Sequence, residues 1–203
     1  MIKNIIFDFG GVLLDWNPHY VFDSHFGSSE KAQWFIDNIC TPQWNATLDA
    51  GKPFTEGVKE LTALHPEWEK EIGMYHTEWL RMMGGQIEGM YETVKGLKDR
   101  GYHIYGLTNW SAETFALVRD IYPVLSLMEG TVVSGEEKVI KPSPEIYRIL
   151  LTRYGLTPSE CVFIDDNAYN VKAAEEMGIK GIQLISREQM TADLEKILHS
   201  SID

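Results

Sequence analysis

Five short apolar runs punctuate the chain: IIFDF at 5–9, HIYGLT at 103–108, TVVSG at 131–135, CVFID at 161–165 and GIQLI at 181–185. Each reads as a strand. Helical periodicity fills most of the gaps. Residues 88–100 carry Lys98 and Arg100 in the last turn and stop at Gly101, the polarity and the stop signal of a helix C-terminus. Residues 112–121 follow Ser111, a suitable N-cap. Pro144 stands where a first helical residue would, and Gly155 ends that helix. Thr157-Pro158-Ser159-Glu160 resembles a capping box, and residues 168–177 end at Gly178. Strand–helix–strand alternation implies right-handed crossovers. The expected fold is α/β, a doubly wound, Rossmann-like parallel sheet.

The interval from about Trp16 to Gly85 breaks this alternation. It shows no convincing strand but several amphipathic stretches rich in Trp and Phe, at 19–26, 30–39, 54–64 and 67–82, with Gly84-Gly85 punctuating its end. The first strand must return to the sheet that the later strands build. The expected organisation is therefore a core of residues 1–15 and 86–203 with a small helical cap inserted at 16–85.

The formal net charge of the 203 residues is −12. An acidic surface repels phosphate backbones, which sets nucleic acid aside as a partner. No apolar run approaches the ~20 residues of a membrane span, and the opening MIKNIIFDFG reads as a strand rather than a secretory leader. Cys40 and Cys161 have no metal-ligand spacing and no disulfide framework, so a reducing cytoplasm is expected. Oligomeric state is not legible.

In an open parallel sheet, ligands bind outside the carboxyl ends of the strands. The polar residues there are Asp8, Thr108-Asn109 and Asp165-Asp166, with Lys141 in the loop after the third run. Asp8 directly follows apolar residues, where an ionised carboxylate needs a partner, and Gly10-Gly11 permit a tight turn. Adjacent Asp165 and Asp166 repel each other and favour a cation such as Mg²⁺. Thr108-Asn109 offer a hydroxyl, an amide and backbone N–H groups for an anion. Lys141 could serve as a point charge for phosphate. Taken singly, each has an ordinary reading as a turn, cap or surface residue. Their order, each at a strand end, is far more specific.

With these motifs the chain resembles the haloacid dehalogenase superfamily: FDFGGVL at 7–13, LTN at 107–109, KPSPEIY at 141–147 and FIDDNAYN at 163–170. The likeness is to the capped subgroup that includes sugar-phosphate phosphatases. The resemblance implies a phosphatase for a small phosphorylated metabolite, with Asp8 as nucleophile and an aspartyl-phosphate intermediate. It implies Mg²⁺ on the Asp8 carboxylate, the Gly10 carbonyl and Asp166, with Asp165 acting through water or behind the metal. It implies phosphoryl contacts from Thr108 and the Asn109 backbone N–H, and Lys141 neutralising phosphate while restraining Asp8.

Two positions depart from the family pattern. Gly10 stands where most phosphatases of the superfamily carry a second Asp that protonates the leaving group, a role worth ~10²–10⁴-fold. Asp15 is a nearby acid that could substitute. Asn170 stands where many members have a further acid, and an amide there could order a metal-bound water. The alternatives are a metal-independent 2-haloacid dehalogenase, which also lacks the second acid, and a binding or regulatory protein on the same fold. The six histidines show no ligand spacing. Among six tryptophans, Trp16 and Trp110 border the motifs and could wall a substrate, for example a sugar face.

Overall fold

The computed structural model describes residues 1–199. Its strands are β1 (Asn4–Phe7), β2 (Leu14–Trp16), β3 (Met83–Gln86), β4 (His103–Thr108), β5 (Gly130–Val133), β6 (Cys161–Asp165) and β7 (Lys180–Gln183). Its α-helices are α1 (His19–Phe26), α2 (Ser29–Asn38), α3 (Pro42–Asp49), α4 (Phe54–Leu64), α5 (Glu69–Thr77), α6 (Met90–Asp99), α7 (Ala112–Val118), α8 (Ser134–Glu137), α9 (Pro144–Tyr154), α10 (Ala168–Glu176) and α11 (Arg187–His199).

The five predicted runs build one parallel sheet in the order β5-β4-β1-β6-β7. β1 is central, with Ile5 opposite Ile104 on one side and Val162 on the other. The period of two sorts each strand between faces. Ile5, Phe7, Val162 and Ile164 join α6, α7, α11 and the inserted helices in one apolar cluster. Ile6, Cys161 and Phe163 join α9 and α10 in a second. Strands buried on both faces read as continuous apolar runs, which is why they were legible. Both cysteines are buried and free. No helix among the described residues is long and apolar enough to cross a membrane.

The inserted interval agrees at 19–26, 29–38 and 54–64 and differs elsewhere. Its ends do contain strands: β2 and β3 pair antiparallel, with a register shift between Asp15 and Trp16. Three- and four-residue strands built on Leu-Asp-Trp and Met-Gly-Gly-Gln are too short to show alternation. Asn17 N donates to Met82 O at 2.8 Å, so the ribbon closes the neck of the insertion. The expected helix over 67–82 divides into a 3₁₀ turn at Pro66–Trp68, α5, and a second 3₁₀ turn at Trp79–Met82. Helix α3 was not anticipated, because it buries only Leu48. Its signal was Thr41-Pro42: the Thr41 side chain accepts from Trp44 N at 3.1 Å, and Pro42 opens the helix.

In the core, the segment from Pro158 to Glu160 is a 3₁₀ turn without a side-chain cap, not the start of an α-helix. Ser111 stands at the N-cap of α7 but makes no side-chain capping bond. TVVSG splits after Val133, where Ser134 begins α8.

Candidate active site

Asp8 follows β1, Thr108 ends β4, and Asp165 ends β6. β4 and β6 flank β1, so their carboxyl ends are adjacent. Lys141 reaches this point from the loop between α8 and α9 and is buried. Its Nζ lies 2.9 Å from Asp8 Oδ1 and 2.7 Å from Asp165 Oδ2. It also donates to the Leu107 carbonyl at 2.9 Å. An ammonium has three protons, and all three have protein acceptors here. The Lys141 backbone is equally fixed: its N–H donates to Asn109 Oδ1 at 2.8 Å, and Asn109 Nδ2 donates to its carbonyl at 3.0 Å.

Asp165 is saturated. Besides Lys141, it accepts from Asn167 N at 2.8 Å and from Asn170 Nδ2 at 3.1 Å to each oxygen. Asp166 is exposed at the mouth of the site. Gly11, at φ +74°, makes room for it: a Cβ there would stand 2.6 Å from Asp166 Oδ2.

The charges do not balance within the protein. Carboxylate oxygens of Asp8, Asp165 and Asp166 lie within 4.8 Å of one another, and one ammonium serves them. Burial raises the Asp8 carboxyl, Lys141 pulls it back and Asp165 raises it again, with the net to about 7. Burial and then Asp165 also hold Asp166 above the ordinary carboxylate range. Burial opposes the charge of Lys141, but Asp8 and Asp165 outweigh it and keep its pKa above the ordinary lysine value. The oxygens of Asp8 and Asp166, with the excess negative charge of Asp165 beside them, fit a hard divalent cation.

The Thr108 hydroxyl beside them is buried without a hydrogen-bond partner, which is costly unless a ligand supplies one. A cleft of about 110 Å³ opens over the site. Gly10, Asn109, Trp110 and Thr114 line it from the core, and Trp16, Asn45, Asp49, Phe54 and Trp79 from the ribbon and inserted helices. Trp16 Nε1 is the other buried side-chain group without a partner among the described residues.

Residues 2–178 match the family model of the haloacid dehalogenase-like hydrolases. The chain belongs to this family. A sesquiterpene phosphatase, astK, from Aspergillus oryzae is 30% identical over 90% of this chain and 89% of its own. A D-ribitol-5-phosphate phosphatase from Bacteroides thetaiotaomicron is 26% identical over 98% of this chain and 100% of its own. In fold, the chain resembles the family enzyme bt-2542 from Bacteroides thetaiotaomicron, solved with magnesium and inorganic phosphate. The TM-score is 0.65, at 22% identity over 90% of this chain and 94% of the other.

Within this hydrolase, the candidates Asp8, Gly10, Thr108, Asn109, Lys141, Asp165 and Asp166 gather at one crevice, and three assignments change in detail. Asn170 Nδ2 donates to both oxygens of Asp165, so the amide nitrogen serves that carboxylate. The three donors of Lys141 are all engaged by the protein, so its pull on phosphate is Coulombic. Asp15 accepts a hydrogen bond from the Tyr20 hydroxyl and is not among the residues lining the cleft. The residue that sequence reasoning missed is Asp49, the last residue of α3, which does line it. An acid at the negative pole of a helix is misplaced for helix stability, and that was the available signal.

Proposed function

We propose that this hydrolase is a Mg²⁺-dependent phosphatase of small phosphate monoesters, working through an aspartyl-phosphate on Asp8. The observation that carries the reading is the Asp8–Lys141–Asp165 chain beside Asp166: one cation, wholly enclosed, among three carboxylates. Asp8, the Gly10 carbonyl and Asp166 would hold the metal, with Asp165 behind it, fixing Lys141. Bound there, Mg²⁺ supplies the positive charge that lets an anionic phosphoryl group approach an anionic nucleophile. A metal-free dehalogenase would have no use for that excess of acid.

Lys141 keeps one oxygen of Asp8 oriented, leaving the other to attack phosphorus. The unpartnered Thr108 hydroxyl and the Asn109 backbone N–H are placed for phosphoryl oxygens. We take residues 16–85 as a cap over the core of 1–15 and 86–203, since it supplies the outer wall of the cleft. Its aromatic wall of Trp16, Phe54 and Trp79, with Trp110 opposite, suits a leaving group with an apolar or sugar-like face. The names of the two relatives, a sesquiterpene phosphatase and a D-ribitol-5-phosphate phosphatase, cover both kinds. Two free thiols fit a reducing compartment such as the cytoplasm.

The test is a panel of phosphorylated metabolites and p-nitrophenyl phosphate, assayed with Mg²⁺. Asp8→Asn is expected to lose on the order of 10⁴- to 10⁶-fold in kcat. A wild-type protein that releases no phosphate above the Asp8→Asn blank would overturn the reading.

A further inference from the structure

Gly10 leaves the reaction without a proton donor beside Asp8, and the structure places another acid across the same cleft. A Cβ built on Gly10 meets nothing within 4 Å, so the space of the missing side chain is open. Gly10, Asn109 and Asp49 line one small cleft of about 110 Å³.

Asp49 is held for this position. Asn45 Nδ2 donates to Asp49 Oδ2 at 2.9 Å, and the Tyr75 hydroxyl donates to Asn45 Oδ1 at 3.1 Å. The Asp49 carbonyl accepts from Ser134 Oγ at 2.6 Å, which ties the end of α3 to the core. Gly51, at φ +95°, then turns the chain against the core, where a Cβ would stand 3.0 Å from the Gly135 carbonyl.

Resting on the phosphatase reading, we propose that Asp49 is the general acid and base that serves in place of the acid absent at Gly10. Asp8 forms a bond to phosphorus while the bond from phosphorus to the leaving oxygen breaks. That oxygen keeps the electron pair and takes the proton of the Asp49 carboxyl, departing as the alcohol. Asp49, now a carboxylate, accepts a proton from the water that attacks the aspartyl-phosphate. The phosphorus–Asp8 bond breaks, and its electron pair returns to the carboxylate. Ester and water become alcohol and phosphate, with Asp49 protonated again.

The electrostatics suit both halves of this cycle. Burial raises the Asp49 carboxyl, the Ser111 backbone N–H lowers it, Asp8 raises it and Lys141 lowers it, with the net at about 7. Tyr75, buried and bonded to Asn45, also feels the Asp49 charge. Of the charged groups near the turn, Glu113 is engaged by Phe54 N at 3.0 Å, and Lys138 packs on Gly51. A proton carrier works best with a pKa near the working pH.

Benzyl phosphate and p-nitrophenyl phosphate have similar shapes, but only the first needs its leaving oxygen protonated. In single turnover with Mg²⁺, Asp49→Asn is expected to slow cleavage of benzyl phosphate by about 10²–10⁴-fold while p-nitrophenol release stays within about tenfold of wild type. With substrate in excess, p-nitrophenol release by the variant should be a burst of one equivalent followed by slow turnover, because the phosphoenzyme has lost its base. Asp49→Glu should recover part of the benzyl phosphate rate. Equal slowing of both substrates, or no effect on either, overturns the proposal.

If Asp49→Asn does not fold, the wild-type pH profiles decide. The benzyl phosphate step should fall as the acid deprotonates, while p-nitrophenol release does not follow it, and parallel profiles overturn the assignment. A wild type inactive on both substrates sinks the phosphatase reading itself. That result differs from an active wild type whose Asp49 variants do not discriminate.

Discussion

At the floor of the site, Asp8 and Asp165 sit at strand ends and Lys141 reaches them from the loop between α8 and α9, each within 3 Å of an ionic partner and out of contact with most solvent. At the roof, Asp49, Trp16 and Phe54 come from a ribbon and helices that reach the core through a few bonds, among them Ser134 Oγ to Asp49 O and Phe54 N to Glu113. The floor is a closed network in which each charge is fixed by another, so changing one member strands the rest. The roof is assembled by packing, so its residues can change one at a time. On the phosphatase reading, the floor would meet the phosphoryl group and the roof the leaving group.

The sharpest way to break the comparison is at Lys141. Lys141→Met leaves Asp8 and Asp165 without their cation and is expected to cost about 3–5 kcal/mol in denaturant unfolding at neutral pH. A loss below about 1 kcal/mol would mean that the floor is not a closed network. Metal binding should come next. At a hundredfold excess over its Kd, Mg²⁺ is expected to stabilise the protein by about 2.7 kcal/mol, read as a rise in Tm. Asp166→Asn should remove most of that rise, while Asp15→Asn should keep it.

The roof should respond differently, and with pH. The Asp49 carboxyl stands at about 7 in the fold against an ordinary 3.8. A raised pKa favours the fold fully below the ordinary value, and that stabilisation is lost as pH rises through the folded value. Asp49→Asn lacks this titration. It should unfold at nearly the wild-type denaturant concentration at pH 4 and be more stable by about 1–2 kcal/mol at pH 8, after allowance for partial solvent screening. A gain that does not grow between these pH values would remove the electrostatic account of the roof. The smallest effect is expected at Trp16→Phe, which deletes an unpartnered donor. Stability should hold or rise by up to about 1 kcal/mol, and KM should rise by about 3–10-fold if Nε1 meets the substrate. An unchanged KM would limit Trp16 to packing.

Residues 4–9 and 161–166 show how far the chain could be read before folding. Their apolar runs are strands buried on both faces, and their terminal acids lie where a parallel sheet must put them. Period and strand-end position are local properties, so Asp8, Thr108, Lys141 and Asp165-Asp166 were all legible along the chain. β2 and β3 were not, because a three-residue strand has no period and its partner lies some seventy residues away.

The chain alone determined the sheet, its direction and the order of the strand-end groups, since each follows from local pattern and from the rules that govern parallel strands. Only the tertiary structure decided which acids share a cation, that Asn170 serves Asp165, and that Asp49 lines a cleft with Gly10 while Asp15 pairs with Tyr20. The first two depend on how a loop and a helix pack at the strand ends, and the last on how the inserted segment docks on the sheet, and neither kind of packing is encoded in sequence spacing.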